Sequence, residues 1–453
     1  MCIRQKFVNK RKDERVARND NIIVGLDIGT TKISALVAEV TSGNEIKVIG
    51  VGRVPSKGLR QGVVVNFEHT VTAISQAIEA AEVQADVAVQ RVFAGIAGDH
   101  IRSVNSRGVI AVSNPSNEIT RADVQRVVQA ARQVGIPMDR QIIHTIPQEF
   151  IVDDQGGIRE PVGLSGIRLE AIVHIVTGAV TSAHNIIKCV KRAGFEVADL
   201  VLEPIASSHA VLSDDEEDLG VILVDIGGGT TDYTIFYQGA VRHSGVVAIG
   251  GDFVTRDLAY GLRTTHGGAE ALKRNSGCCF PPLISDEETI GVVGLETAGG
   301  TNGHSNGHSN GGGAQDSENG GVNLERLIRR QVLADIITPR MEEIFTLVRQ
   351  QLRRSEYLEL ASGGMVLTGG ASQLFGAVEL AERIFQMPVR RGAPRGVIGL
   401  TDGLEDPSNA TGIGLLHYAA KNREARLTER NFRSDGIIKS IFGRMRKMAH
   451  EWF

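Results

Sequence analysis

Apolar and polar positions repeat one pattern twice along the chain. Val221 to Ile235 reads VILVDIGGGTTDYTI, and Val24 to Ile33 reads VGLDIGTTKI. In each, a short apolar run of the kind a buried strand requires meets an aspartate, one more apolar residue, a glycine turn and two threonines. A third apolar run, MVLTGGA over Met365–Ala371, ends in another glycine turn. A plain hairpin is one reading of a single such turn. A glycine turn also lets backbone N–H groups approach a phosphate, because no Cβ intervenes. Two copies about 200 residues apart favour two similar halves facing one nucleotide.

Elsewhere the periodicity alternates between two and 3.6. Strands are predicted at Ile33–Val40, Glu45–Gly52, Arg91–Ala97, Val109–Val112, Gln141–Ile146, Arg168–Val176 and Glu196–Glu203. Phe67–Glu82 has helical spacing, with Val71, Ile74, Ala77, Ile78 and Ala81 on one face. Asn117–Gly135 reads as a helix with Thr120 as N-cap before Asp123. Further helices are predicted at Ala183–Ala193, closed by Gly194, from Pro204, at Thr255–Gly261, and around Glu270 and Lys273. Val322–Arg354 is amphipathic and is expected to break at Pro339. Val366–Gly370 reads as a third hairpin strand and turn, Ser372–Phe385 as a helix, Pro388–Gly392 as an edge strand, and Pro407–Tyr418 as the start of the last body helix. Strands and helices mixed in this way predict an α/β fold.

At 453 residues, 42% of them hydrophobic, the chain has room for several domains and an ample core. Four scattered or adjacent cysteines without a CxxC pair read as reduced thiols, not as a disulfide frame or a zinc site. No apolar run reaches membrane-spanning length, and the first residues lack a signal core. The net charge of −4 divides unevenly: residues 1–20 carry seven Lys/Arg against three Asp/Glu, and residues 421–453 carry nine against four. That leaves the body at −13, which argues against nucleic-acid binding by the core and suits ends that touch an anionic surface. Residues 1–20 read as a disordered basic extension. Residues 297–321, where NGHS recurs, read as a low-complexity insertion; His304 and His308 there make no preorganised metal site.

The last stretch has a separate pattern. In IIKSIFGRMRKMAHEWF, Ile437, Ile438, Ile441, Phe442, Met445, Met448, Trp452 and Phe453 form one helical stripe. Lys439, Arg444, Arg446 and Lys447 lie off it. Such a helix sits in a lipid interface, with its cations toward anionic headgroups. A C-terminal helix packed on the body is the plainer alternative.

The three glycine-turn segments, in this order, resemble the phosphate-1, phosphate-2 and adenosine motifs of the actin-like ATPase superfamily. Within it, Gly58–Glu82, Pro147–Ile175 and the terminal amphipathic stretch resemble the FtsA family of bacterial division actin homologues. The resemblance implies a two-lobed actin-like fold of two ribonuclease-H-like halves, with subdomain 1C in place of 1B and a C-terminal amphipathic helix. It implies subdomain 1A at 21–91 and 177–211, 1C at 92–176, 2A at 212–250 and 335–420, and 2B at 251–334. A linker at 421–436 and a membrane-targeting helix at 437–453 follow.

The resemblance implies ATP and Mg²⁺ as cofactors. Gly29, Thr30, Thr31 and Lys32 would meet the phosphates from one side, and Gly227, Gly228, Gly229, Thr230 and Thr231 from the other. Asp27 and Asp225 would hold the metal through water. Gly250 and Gly251 offer a further turn. Glu270 and Lys273 would reach the ribose and adenine side, and Gly369, Gly370 and Ala371 the adenosine. Glu203, in LEPIASS, would orient the attacking water, with weak or no hydrolysis implied. The implied partners are FtsZ, further copies of the chain, anionic membrane lipid and later division proteins. The implied location is the cytoplasmic face of the inner membrane at the septum. A pilus-assembly actin homologue is the alternative. A sugar kinase has no use for the lipid helix, and a chaperone ATPase needs a larger C-terminal domain.

Overall fold

The computed structural model describes residues 21–433 apart from 42, 44, 294–324 and 401. The basic extension 1–20, the insertion 297–321 and the amphipathic stretch 437–453 lie outside the described residues. The first repeat builds an antiparallel meander of β1 (Ile22–Ile28), β2 (Lys32–Val40) and β3 (Ile46–Pro55). A clip of β4 (Leu59–Arg60) and β5 (Val63–Val64) leads to α1 (Phe67–Ala85), capped by the Asn66 side chain. That helix buries Ile74, Ala77, Ile78 and Ala81, as its spacing predicts, while Val71 is half-buried. β6 (Arg91–Ile96) then pairs in parallel with β1.

From β7 (Arg102–Ala111) the chain builds a second sheet with α2 (Arg121–Ala131), β8 (Arg140–Val152), β9 (Gln155–Ile158) and β10 (Arg168–Ala179), in the order β7-β10-β8-β9. Thr120 and Asp123 close a reciprocal capping box. The helix is shorter than Asn117–Gly135 because Asn117, at φ 55°, lies in the preceding turn. α3 (Val180–Arg192) and β11 (Glu196–Leu202) return to the first sheet, and α4 (Glu203–Val211) follows β11 without a break.

After α5 (Asp214–Leu219), the second repeat forms β12 (Val221–Ile226), β13 (Thr231–Tyr237) and β14 (Ala240–Val247). Next come α6 (Gly251–Leu262), α7 (His266–Ser276), β15 (Thr289–Val293), β16 (Glu325–Arg329) and α8 (Arg330–Arg354). β17 (Met365–Thr368), α9 (Ala377–Phe385) and β18 (Val389–Arg391) complete this lobe. The order β14-β13-β12-β17-β18 repeats β3-β2-β1-β6-β11: an antiparallel meander, then two parallel strands. The sequence repeat is therefore a repeat of fold. β19 (Val397–Gly399) then pairs with β3, and α10 (Ala410–Arg433) lies against β1 and α4. The span 335–420 is thus not confined to the second lobe, and the expected linker at 421–436 begins as helix.

Four other expectations change. α8 runs unbroken through Pro339, because Pro339 and Asp335 are exposed while the buried stripe continues from Ile337 to Met341. The Asp335 carbonyl that proline leaves without an N–H therefore faces solvent. Within Val322–Arg354, Glu325–Arg329 is a strand paired with β15, where helix was expected. β17 makes no hairpin; it is parallel to both neighbours and ends in a 3-10 turn, Gly370–Gln373. Ser372–Phe385 is split at Gly376, whose φ of 85° stops one turn and caps α9.

The β7-β10-β8-β9 sheet also touches the second lobe. Ser103 Oγ donates to the Ser244 carbonyl (2.7 Å) and Asn105 Nδ2 to that of Arg242 (3.0 Å), both on the free edge of β14. Gln148, left over at a bulge in β8, donates to the Val241 carbonyl (2.6 Å).

Candidate functional site

The β1–β2 and β12–β13 turns face each other across a cleft of about 410 Å³. The contact is close: a Cβ on Gly228 would lie 2.0 Å from Thr31 Oγ1, and one on Gly229 would lie 2.4 Å from Thr30 Oγ1. Gln61 adds a bond across it, from Nε2 to the Ala248 carbonyl at 2.6 Å. The second turn is shaped by α6. The Gly251 and Asp252 amides donate to the Gly227 and Gly228 carbonyls at 2.9 and 2.8 Å. With its carbonyls drawn toward the helix, the turn is left to offer N–H groups to an anion.

Asp27, Gly29, Thr30, Thr31, Lys32, Glu203, Asp225, Gly227, Gly228, Gly229, Thr230, Gly251, Glu270, Lys273, Gly369, Gly370 and Ala371 all line this cleft. Thr231 and Gly250 do not. Thr231 follows Thr230 on a strand, so its side chain points the other way and donates to the Ile249 carbonyl at 2.8 Å. Gly250 is the N-cap of α6, packed behind the second turn. Arg53, Asp252, His266, Arg274, Asp406, Ser408, Asn409 and Thr411 join the lining without having been expected there.

The cleft is rich in carboxylates. Burial raises Asp27 to about 6, with Lys32 opposing and Asp225 adding to the shift. Burial also raises Asp225, against hydrogen bonds from Ser207 and Thr411. It lifts Asp232 to about 8, helped by the charge of Asp225. Glu203, at the start of α4, is raised well above the usual range by burial and then by Asp27, Asp232 and Asp225. The Oδ1 of Asp232 is buried without a hydrogen-bond partner. Lys32 is a half-buried cation among them. Burial lowers its pKa, and its ammonium donates to Ser408 Oγ (3.0 Å) and Asn409 Oδ1 (3.2 Å). On the far wall, Lys273 pairs with Glu270 at 2.6 Å and donates to Thr255 at 2.8 Å. Burial works upward on Glu270, yet Lys273 and the Thr255 hydroxyl hold it below its usual value.

These residues fit an anionic ligand that brings its own cation. The glycine turns form a cradle that a Cβ would crowd, and the buried carboxylates, one with an orphaned oxygen, outnumber the Lys32 ammonium among them. Among the described residues, no group of three His, Cys, Asp or Glu converges to ligate a metal directly.

Comparison with known proteins agrees with this architecture. A family profile described as "SHS2 domain inserted in FTSA" matches residues 98–177, and one described as "Cell division protein FtsA" matches 222–414. Cell division protein FtsA of Pseudomonas aeruginosa is 46% identical over 426 residues, covering 94% of this chain and 93% of its own. That of Escherichia coli K12 is 37% identical, covering 95% and 99%. Among solved structures, a PilM–PilN type IV pilus biogenesis complex matches with a TM-score of 0.60 at 16% identity, over 88% of this chain and 98% of that one. MreB5 of Spiroplasma citri bound to ADP matches with a TM-score of 0.52 at 13% identity, over 90% and 98%. The structural likenesses establish the actin-like fold. The extent and identity of the sequence matches, together with the inserted domain, establish that the chain belongs to the FtsA family of cell division proteins.

Proposed function

We propose that this chain binds Mg–ATP between its lobes, polymerises as actin does, and ties the FtsZ ring to the inner face of the cytoplasmic membrane, where later division proteins join it. The observation that carries the nucleotide part is the opposition of two glycine turns across one acidic cleft. MreB5 structures with ADP and AMPPNP are nucleotide complexes of the same fold, which supports the reading. In it, the Gly227–Thr230 turn and the Gly29–Lys32 turn hold the phosphates. Asp27 and Asp225 hold magnesium through water, and the metal supplies neutralisation of phosphate charge. Glu203 stands at the cleft as the residue that orients water. Its raised pKa makes it a poor base until a cation arrives, in keeping with weak hydrolysis.

The membrane part rests on the residue pattern of 437–453, which lies outside the described residues. Among the described residues, no helix is long and apolar enough to cross a membrane. The tether reading is tested by liposome flotation with ATP and purified FtsZ. FtsZ is expected to float only with this protein and its intact 437–453 segment. If the protein floats and FtsZ stays behind, the reading fails in favour of a scaffold for another assembly.

A further inference from the structure

We infer that Ser207 and Thr411 are positioning residues for Asp225, fixing its carboxylate for the metal and tying it to the two helices that cross between the lobes. The inference rests on the Mg–nucleotide reading above and adds two hydroxyls, one of them within the LEPIASS stretch that holds Glu203.

The geometry is specific. Ser207 Oγ donates to Asp225 Oδ2 at 2.7 Å, Thr411 Oγ1 approaches the same oxygen at 3.4 Å, and the two hydroxyls lie 3.1 Å apart. Ser207 is fully buried, and Asp225 and Thr411 are nearly so. The other oxygen, Oδ1, lies toward the third glycine turn, where a Cβ on Gly369 would come within 2.3 Å of it. One oxygen is thus occupied by hydroxyls behind the cleft while the other is held beside the cleft wall. A buried helical serine ordinarily donates to a carbonyl of the preceding turn. Ser208 does this, to Ile205 at 2.9 Å, and its neighbour Ser207 instead donates to the carboxylate.

The placement of the two donors adds a coupling. Ser207 stands on α4, one turn beyond Glu203, and α4 continues directly from β11 of the first lobe. Thr411 stands in the first turn of α10, which packs on β1 and α4. Asp225 belongs to β12 of the second lobe. The hydroxyls therefore connect a second-lobe carboxylate to helices anchored in the first lobe.

The test is binding of a fluorescent ATP analogue to the full chain, in Mg²⁺ and in EDTA, with circular dichroism as a check on folding. Wild type is expected to bind more tightly in Mg²⁺. Ser207→Ala should reduce that gain about tenfold, as for a hydrogen bond to a charged group, and leave affinity in EDTA nearly unchanged. Thr411→Val keeps the shape and removes the hydroxyl; it should reduce the gain less, and Thr411→Ser should restore it. Equal magnesium gains in wild type and both variants overturn the inference, as does a loss that is the same in Mg²⁺ and EDTA. Absence of any nucleotide binding by wild type would instead overturn the reading on which the inference rests.

Discussion

In the first lobe Asp27 stands across the strand pair from Ser34, and Lys32 lies close by; in the second, Asp225 stands across from Asp232. The two hairpins share a fold and a motif but differ in charge. The first balances one carboxylate with one ammonium, and Asp27 rises only to about 6. The second pairs two carboxylates, and Asp232 rises to about 8. Among their differences, the residue across from the shared aspartate is Ser34 in one hairpin and Asp232 in the other. The difference teaches that the second hairpin, together with Glu203, holds acidic groups without a nearby cation, which the Mg²⁺ proposed above would offset.

The contact between the turns gives the largest expected effect. Gly228→Val places a branched side chain where Thr31 already lies. It should hold the lobes apart and weaken nucleotide binding roughly a hundredfold, about 3 kcal/mol, in equilibrium titration. Lys32→Ala removes the cation that balances the first hairpin, together with its bonds to Ser408 and Asn409. A loss of about 2 kcal/mol in nucleotide affinity is expected from the same titration. Similar losses from Lys32→Ala and from an exposed arginine such as Arg107→Ala would erase the asymmetry.

The pH dependence separates the hairpins directly. A carboxyl whose folded pKa exceeds its unfolded value keeps a proton that the unfolded chain releases. Its contribution to stability is complete below the unfolded value near 3.8, and it is lost as pH rises through the folded value: about 6 for Asp27 and about 8 for Asp232. Burial lowers the pKa of His144, His174 and His209, so these groups raise stability with pH up to about 6.5. Above that range the melting temperature of the unliganded protein should fall to about pH 8.5; Asp232→Asn should flatten this fall, and Asp27→Asn should change the profile only below about pH 6. A melting temperature that rises across this range contradicts the assignment. The smallest effect is expected at the matching position of the first hairpin. The Ser34 hydroxyl is buried without a partner, so Ser34→Ala should change stability by less than about 1 kcal/mol in denaturant titration, with gain favoured over loss.

Much of the cleft was legible because its chemistry is local. Glycine, aspartate and threonine within five residues (Asp27–Thr31) or seven (Asp225–Thr231) define the two turns, and the apolar runs define the strands behind them. Thr231 was misplaced because the motif was read as a string; strand alternation sends adjacent threonines to opposite faces. Ser408, Asn409 and Thr411 were missed because they join the cleft from an element distant in sequence, and Ser207 because it supports Asp225 from behind the lining. Pro339 misled because what decides its effect is exposure, and its helix happens to present it to solvent.

The central claim is that the acidic second turn receives a cation together with the nucleotide. Calorimetric titration of Mg–ATP at pH 7, in buffers of differing ionisation enthalpy, counts the protons exchanged on binding. Net proton release is expected, because a cation beside Asp225, Asp232 and Glu203 drives protonated carboxyls to ionise, and the release should shrink in Asp232→Asn. Binding with no proton release, or with uptake, would contradict the account.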